Sequence, residues 1–454
     1  MPNISSLNTA YSGLNAQRRV LDVTAHNIAN ANTKGYHVQR VDLVSTGRSA
    51  VSGLFSGTSR TNGVNADALS RSYDDLLTAR AAREDASLSS ANTSSSTMNA
   101  IEQVFPEPGD NGIAQQLDQF WSSWSAVATS PGSSAARTEL LAKATTLTAS
   151  LNRGATDLQS IADAAATRTS TLAVDVNTLA TQLADVNRAI TTSVQANPDL
   201  LDHRDVLLGS LSKLTGATTR PAANGLVDVY IGNRALVVGE YTEQVDGTTG
   251  TLVWTNGNQP VSAPSGEAAA LAATTTDVIP RYRASLDAVA ASLVSGVNAL
   301  HTVGYDQTST TGRNFFDPTK TTAATISLSI DVAGTPGNIA AGAPVLPGPT
   351  APGLLDGDQA RAIARLADSV AGPNATYRSL INNLATETNA ATSRAALQTQ
   401  VAAGATRDAD AVGSVSLDEE MATLVSAQRA YEANARVIKA VDDMLSFLIQ
   451  TVGR

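Results

Sequence analysis

Hydrophobic residues recur at steps of three and four at both ends of the chain, the spacing that aligns one apolar face along a helix. Arg18 interrupts the N-terminal stripe and Gln428 the C-terminal one. The N-terminal stripe consists of Ile4, Leu7, Tyr11, Leu14, Leu21, Ala25 and Ile28. The C-terminal stripe consists of Leu417, Met421, Leu424, Tyr431, Ala435 and Ile438, continued by Val441, Leu445, Leu448 and Val452. These faces predict terminal helices that pack as a coiled coil, on each other or on copies of the chain.

Between the ends, the pattern predicts a mainly α fold with β insertions. Two long apolar stripes place most of residues 67–214 in helices, which we interpret as a central bundle or stalk. Alternating apolar residues on both sides of Gly232-Asn233 predict a β-hairpin with a two-residue turn. After a Gly-, Ala- and Pro-rich run, helical spacing returns and predicts a helix over residues 359–410.

The order of these patterns predicts four parts, nested as discontinuous domains. The parts are a terminal helical coiled-coil domain (1–65 and 411–454), a helical middle domain (66–214, 279–302 and 357–410), a small outer β domain (215–278) and an irregular β and loop segment (303–356). Because the terminal segments enclose all the others, we expect both termini to lie at the same end of the molecule.

An asparagine-rich segment follows the first stripe and predicts a structured corner. Asparagine tolerates left-handed backbone and bonds its own main chain, and Gly35 is a good helix terminator. The residues of this corner are Asn27, Asn30, Asn32, Gly35 and Tyr36. At the other end of the chain, Ser416 and Glu419 form a capping box, which predicts where the last helix begins. Glu420 should then lie at the positive end of that helix dipole.

The apolar stripes alone offer too little free energy to order the two ends. Burying roughly six to nine apolar side chains contributes on the order of 10 kcal/mol. Ordering about 40 residues at each end costs more, at about 1–2 kcal/mol per residue. We therefore predict that the ends are disordered in the monomer and helical in an assembly. The alternative is an ordinary helical hairpin within one monomer, and periodicity alone does not decide between the two.

Composition and charge narrow the classes of function. The 454 residues carry a net charge of −10 with scattered Lys and Arg, so nucleic acid and membrane surfaces are poor candidate partners. The chain has no cysteine, which excludes thiol catalysis, disulfides and cysteine-based zinc sites. Its four histidines have no metal-ligand spacing. We therefore expect no catalytic, metal or cofactor-binding residue.

Two sequence features resemble a catalytic or ligand-binding site but have a simpler structural interpretation. Residues 202–205 read Asp-His-Arg-Asp, which we interpret as a charged helix face with local Asp–Arg pairs rather than a catalytic set. Trp121 and Trp124 are three residues apart on an amphipathic helix. That spacing is more typical of a core or a subunit contact than of a carbohydrate platform.

Both ends also carry specific sequence signatures. The N-terminal signature reads SGLNAQ at residues 12–17 and AHNIANANTKGY at residues 25–36. The C-terminal signature reads VSLDEEM at residues 415–421 and QRAYEANA at residues 428–435. Together they resemble the terminal signatures of the bacterial flagellar axial proteins, which comprise rod, hook and hook-associated proteins. In the middle of the chain, residues 200–212 resemble the hook-associated members that join hook to filament.

The resemblance implies a structural protein, not an enzyme, that links the hook to the filament and permits filament assembly. It implies export without a cleavable signal peptide to the extracellular hook–filament junction. The implied partners are copies of the chain in a ring, the hook protein, a second junction protein on the filament side, and an export chaperone on the C-terminal helix. It implies no cofactor, nucleic acid or membrane, and it places the terminal helices in an inner tube.

The residues expected at the assembly interface come from the two stripes and the corner. They are Leu7, Tyr11, Leu14, Leu21, Ile28, Asn27, Asn30, Asn32, Gly35, Tyr36, Met421, Leu424, Gln428, Tyr431, Ile438, Leu445 and Leu448. Two alternative functions stay open. One is another axial protein of the hook or rod type, and the other is a secreted surface adhesin with a β binding domain.

Overall fold

The computed structural model describes residues 2–45, 63–193, 197–345 and 351–452. Its helices are α1 (Pro2–Ala29), α2 (Asp75–Val104), α3 (Ile113–Thr129), α4 (Ser134–Thr192), α5 (Pro198–Thr215), α6 (Gly266–Ala273), α7 (Ile279–His301), α8 (Asp358–Ala364), α9 (Pro373–Gly413) and α10 (Leu417–Val452). Its strands are β1 (Gln39–Ser45), β2 (Val64–Arg71), β3 (Thr218–Pro221), β4 (Val227–Ile231), β5 (Arg234–Val238), β6 (Tyr241–Thr242), β7 (Val245–Asp246) and β8 (Val253–Trp254). The fold is mainly α with small antiparallel β insertions, as predicted.

The chain forms two compact units, each assembled from separate segments of sequence. Unit 1 comprises Met1–Ala86, Val176–Gln244 and Thr399–Arg454. Unit 2 comprises Ser87–Asp175 and Val245–Gln398. Helices α2, α4 and α9 have residues in both units. Both terminal segments belong to unit 1, while the four predicted domain boundaries stay a prediction.

In unit 1, helices α1 and α10 pack against each other and run antiparallel. The direction follows from two close approaches, because Gly13 lies beside Asn434 while Asn27 bonds Glu420. The helix predicted over the N-terminal stripe is confirmed. The capping box is also confirmed at its first bond, since the backbone N–H of Glu419 donates to the Ser416 hydroxyl at 3.4 Å. We refer to the surface between α1 and α10 as the terminal seam.

Strands β1 and β2 form an antiparallel hairpin directly after the corner. Val41 pairs with Leu69, and the register shifts between Asp42 and Val44. The helical prediction for residues 67–71 is wrong, because these residues lie in β2. Their backbone groups pair with β1, and this long-range pairing replaces the bonds that a helix would make internally.

A second sheet of unit 1 has the order β3-β4-β5-β6, with every neighbouring pair antiparallel. Strands β4 and β5 are the predicted hairpin, and Gly232 has the positive φ of 59° that such a tight turn favours. The buried side chain of Asn187 on α4 donates to the backbone oxygens of Val227 and Gly239 at 3.2 and 2.7 Å. These bonds fasten the sheet to α4.

Unit 2 has a core of large aromatic and aliphatic side chains. The fully buried members include Phe120, Trp124, Leu140, Leu147, Leu151, Leu286, Leu293, Phe315 and Phe316. Trp121 and Trp124 were predicted to lie in a core or at a subunit contact. Of these two alternatives the core is confirmed, because the residues are only 4% and 0% exposed. The side chain of Asn298 closes one edge by accepting from the backbone N–H groups of Phe315 and Phe316, both at 2.9 Å.

The single helix predicted over residues 359–410 is wrong. The chain forms α8, a short 3-10 turn at Arg365–Asp368, and then α9, which begins at Pro373. Proline has no backbone N–H to donate, and its ring disfavours helical backbone at the preceding residue. A regular helix is therefore disfavoured at this point, and the N–H of Gly372 donates to the backbone oxygen of Ser369 at 3.0 Å instead.

Candidate functional site: the corner between the terminal helices

The buried side-chain amide of Asn27 is the centre of the corner, and it is only 1% exposed. Its Nδ2 donates to the backbone oxygen of Gln39 at 3.0 Å and to the Glu420 carboxylate at 2.9 Å. Its Oδ1 accepts from the backbone N–H of Gln39 at 3.1 Å and from the Tyr36 hydroxyl at 2.7 Å. One side chain therefore joins the end of α1, the start of β1 and the first turn of α10, and its hydrogen-bonding capacity is filled.

Glu420 lies in the first turn of α10, as expected, but the sequence did not predict its burial. The residue is 1% exposed, and its carboxylate lies 3.8 Å from the guanidinium of Arg40. A buried carboxylate is costly unless it is paired and hydrogen-bonded, so Asn27 and Arg40 stabilise it. Burial and neighbouring carboxylates raise the pKa of Tyr36, so its hydroxyl keeps the proton that it donates to Asn27.

Gly35 turns the chain where the corner meets α5. Its φ is +79°, in the left-handed region that favours glycine. A Cβ at this position would also clash with Cγ2 of Val206 on α5. Asn30 stabilises the end of α1, because its Nδ2 donates to the backbone oxygen of His26 and its Oδ1 accepts from Thr33, both at 3.1 Å. Local backbone requirements thus explain two of the predicted corner residues.

Helix α5 holds the corner through two acidic side chains. The backbone N–H of His37 donates to Asp202 at 3.0 Å, and its Nδ1 lies 2.7 Å from the same carboxylate. Arg71 lies 2.8 Å from Asp202 and 2.7 Å from Asp205. Burial alone would raise the pKa of Asp202, but hydrogen bonds from His37 and Arg71 outweigh it and hold that pKa below its usual value. These four residues form what we term the α5 clasp.

The predicted charged face at residues 202–205 is therefore only partly correct. The local pair exists, with Arg204 and Asp205 3.3 Å apart. The prediction did not include burial of this face, but Asp202 and Arg204 are only 6% and 9% exposed. The main partners of this segment lie on the corner and on β2, far away in sequence, and no local pattern could reveal them.

The predicted interface residues differ in exposure. Asn27 is buried, and the half-buried members are Leu7, Leu14, Leu21, Ile28, Asn30, Tyr36, Leu424, Tyr431, Ile438 and Leu445. The exposed members are Tyr11, Asn32, Gly35, Met421 and Gln428, and the side chain of Leu448 lies outside the described residues. The structure therefore brings the two stripes to one seam but leaves many of their large side chains accessible.

The sequence reasoning missed the small residues that fill the terminal seam. The buried small residues are Ala10, Ala16, Thr24 and Ala427, which lie in the seam beside the already noted Asn27, Glu420 and Val441. Gly13 belongs to the same surface, since a Cβ there would lie 2.9 Å from the Asn434 side chain. A usable signal was the seven-residue spacing of Glu420, Ala427, Asn434 and Val441, which is typical of a coiled-coil position.

The described residues outside the corner include one buried histidine, His301. No group of three or more His, Asp or Glu among them could hold a metal ion, and none of their helices could cross a membrane. His301 lies in the core of unit 2, with Nδ1 2.7 Å from the backbone oxygen of Arg313 and Nε2 accepting from Ala340. Burial lowers the pKa of His301 to about 4, so the ring is neutral at physiological pH.

Two comparisons concern the paired terminal segments. A model of the flagella basal body rod protein matches residues 7–37, and a model of the flagellar basal body rod FlgEFG protein C-terminal region matches residues 414–451. These ranges contain most of α1 with its corner and nearly all of α10. The terminal segments, which form the antiparallel pair, are therefore similar to those of flagellar axial proteins.

The other matches concern one branch of that class, the hook-associated proteins. A model of the flagellar hook-associated protein FlgK helical domain matches residues 98–316. Flagellar hook-associated protein 1 of Bacillus subtilis is 27% identical, with 98% of each chain covered. The protein of the same name from Salmonella typhimurium is 26% identical over 69% of this chain and 59% of its own length. The chain is therefore similar to flagellar hook-associated protein 1 over nearly its whole length.

A solved structure shares this fold. It is the flagellar hook junction protein FlgK from Burkholderia pseudomallei, with a TM-score of 0.63 and 16% identity. The match covers 74% of this chain and 100% of the other chain. At that identity the likeness concerns the fold alone.

Proposed function

We propose that this protein is a structural junction of the bacterial flagellum that links hook to filament, with α1 and α10 as its assembly surface. One observation carries the proposal. Buried hydrogen bonds fix the geometry of the terminal pair, while Tyr11, Met421, Met444 and Phe447 stay between 50% and 66% exposed. Exposed apolar side chains in such number indicate a surface that another protein covers. The names of its relatives support a flagellar partner for that surface.

The same role defines the partners and the place of action. Copies of the chain form a ring, the hook protein lies on one side, and a second junction protein lies on the filament side. The chain is exported to the extracellular junction, and an export chaperone covers α10 beforehand. The apolar outer side of α10 supports this step, because it would promote aggregation if left bare in the cell. No catalysis is part of the role.

In this proposal the corner sets the direction in which the terminal pair leaves the rest of unit 1. Asn27 and Gly35 fix the backbone, and the α5 clasp holds the segment that follows. The half-buried stripe residues, such as Leu14 and Tyr431, then complete their burial against neighbouring copies. This division of roles explains why polar side chains are buried in the terminal seam while larger apolar ones are left accessible.

Electron microscopy of cells that lack this chain tests the function, with the culture medium assayed for flagellin. Bare hooks with flagellin lost to the medium, restored by the wild-type chain, would support the junction role. Normal filaments would overturn it. Normal filaments together with lost surface adhesion would instead favour the secreted adhesin.

A further inference from the structure

Helix α10 exposes apolar side chains beyond those that it presents to α1. The seam positions repeat every seven residues, at Glu420, Ala427, Asn434 and Val441. Two further apolar groups lie outside this row. The lower patch consists of Leu417, Met421 and Val425, and the upper patch consists of Ala433, Val437, Ala440, Met444 and Phe447. All eight residues are exposed.

The two patches lie on opposite flanks of the helix. With 3.6 residues per turn, Met421 and Val425 lie about 100° and about 140° from Glu420 around the helix axis. Val437 and Met444 lie about 100° and about 120° from Glu420 in the opposite sense. The terminal seam therefore runs between the patches. Their centres are about 19 residues apart, which is about 30 Å along the axis.

The apolar surface changes flank halfway along α10. Beyond Val425, the flank of the lower patch becomes polar, with Gln428, Glu432 and Lys439. The flank of the upper patch is polar in its first half, where Thr423 and Ser426 lie. A single neighbour that lay along one side of α10 would therefore cover only half of the exposed apolar surface. Two different neighbours, one on each side, would cover all of it.

Symmetry limits what those neighbours can be. In a two-fold dimer, each copy presents the same patch to its partner. Patches on opposite flanks cannot both face one partner across a two-fold axis. A head-to-tail contact between different patches has no such restriction, and it closes into a ring or continues as a helix.

We propose that the lower patch of one copy packs against the upper patch of the next copy. Neighbouring α10 helices then run parallel, with an offset of about 30 Å along their axes. The inference rests on the proposed function, since it assumes that copies assemble through their terminal helices. It adds which surfaces meet and in which register.

Charges at the edges of the patches support a second copy as the occupant. The exposed acidic residue Asp418 lies beside the lower patch, and the exposed basic residue Arg436 lies beside the upper patch. At an offset of about 19 residues, Asp418 of one copy is level with residue 437 of the next copy. Its carboxylate therefore approaches the Arg436 guanidinium, which favours this register as well as this partner.

Engineered disulfides test the contact, because the chain has no cysteine of its own. Cells would express two single-cysteine variants together in place of the wild-type chain. One variant is always Met421→Cys, and the other is Val437→Cys, Ala440→Cys or Met444→Cys in three separate experiments. Positions 421 and 437 are about 24 Å apart along one helix and the others are farther, so a disulfide within one copy is excluded. The matched control is Lys439→Cys, which lies in the same half of α10 on the opposite flank.

We expect the best of the three pairs to give at least tenfold more disulfide-linked dimer than the Lys439→Cys control. A chain that carries both cysteines of that pair should give a ladder of higher oligomers. Microscopy of the same cells establishes separately whether junctions form. Junctions without this preference would overturn the contact and leave the proposed function standing.

Other outcomes also decide the matter. Dimers from Met421→Cys alone would indicate a two-fold contact and overturn the inference. Cross-links only to a different protein, such as a chaperone, would overturn it as well. If cells that lack this chain still build normal filaments, the proposed function is wrong, and the inference that rests on it is wrong as well.

Discussion

The terminal seam and the core of unit 2 are both built on helical apolar spacing, but they bury different things. In unit 2 the buried positions hold large side chains, and Trp124 and Leu140 have no exposed surface. In the terminal seam the buried positions hold Ala16 and Asn27, while Leu14 stays half-buried. The same sequence pattern therefore corresponds to a fully buried core in unit 2 and to a partly exposed helix surface in the terminal seam.

This difference indicates where the stability of each region comes from. A large apolar side chain contributes about 1.5–3 kcal/mol when fully buried, so the core of unit 2 can order its own helices. The terminal seam gains less from burial, and hydrogen bonds around Asn27 fix its geometry instead. Each hydrogen bond contributes only about 1 kcal/mol to stability. The directional bonds of Asn27 therefore determine how α1 and α10 are placed more than they stabilise the pair.

The largest expected effect comes from the core of unit 2. Trp124→Ala should lower the free energy of unfolding by about 3–5 kcal/mol, because it leaves a cavity at a fully buried position. Urea unfolding measures the loss. Ile330→Ala is the control, since Ile330 is 91% exposed and should change stability by less than about 0.5 kcal/mol. Equal losses for the two variants would remove the distinction between core and surface in unit 2.

A substitution at the corner should disrupt unit 1. Gly35→Val should cost about 2–4 kcal/mol, from left-handed backbone and from the clash with Val206, and should abolish motility. The double variant Gly35→Ala with Val206→Ala relieves the clash but not the backbone strain, so its loss should be smaller. Unfolding and swimming assays measure both. Wild-type motility of Gly35→Val would refute the role of the corner.

Acid should weaken unit 2 through His301. Its pKa is about 4 in the folded chain against an ordinary value of 6.5, so the unfolded chain binds more protons between these values. The contribution is therefore fully present above pH 6.5 and is lost as the pH falls toward 4. Between pH 8 and pH 5 we expect a loss of about 2 kcal/mol in unfolding free energy. The variant His301→Gln should lack this slope, and an unchanged slope would contradict the assignment.

The smallest expected effect is at the terminal seam. Glu420→Gln keeps an acceptor for Asn27 but removes the charge, so the loss should be about 1 kcal/mol. Amide exchange in the first turns of α10, followed in assembled junctions, measures the loss. The matched control is Glu419→Gln, since that neighbouring side chain is 72% exposed and should have almost no effect. Similar exchange in the two variants would show that the buried bond does not fix the seam.

The sequence was sufficient where structure depends on local pattern. Apolar spacing predicted α1, α10 and the stripes of α4, and Gly232 marked the β4–β5 hairpin. The sequence did not predict elements whose bonding partners are distant along the chain. The strand β2 depends on pairing with β1, and the α5 clasp depends on His37 and Arg71, more than a hundred residues from Asp202.

The corner was predicted in its residues but not in its bonds. Asn27 and Gly35 were recognised because their residue types favour special backbone conformations and because the segment resembles a family signature. The bond from Asn27 to Glu420 was not, since it joins residues 393 positions apart. The small residues of the seam were missed because the helical periodicity was followed mainly through large apolar side chains.

The central claim is that the terminal helices are completed only by neighbouring copies. Amide hydrogen exchange on the purified monomer and on assembled junctions tests it most directly. We predict weak protection of residues 5–28 and 420–450 in the monomer, strong protection of both ranges in the assembly, and strong protection of residues 140–158 in both states. Strong protection of the terminal ranges in the monomer would contradict the claim and show a seam that is complete within one chain.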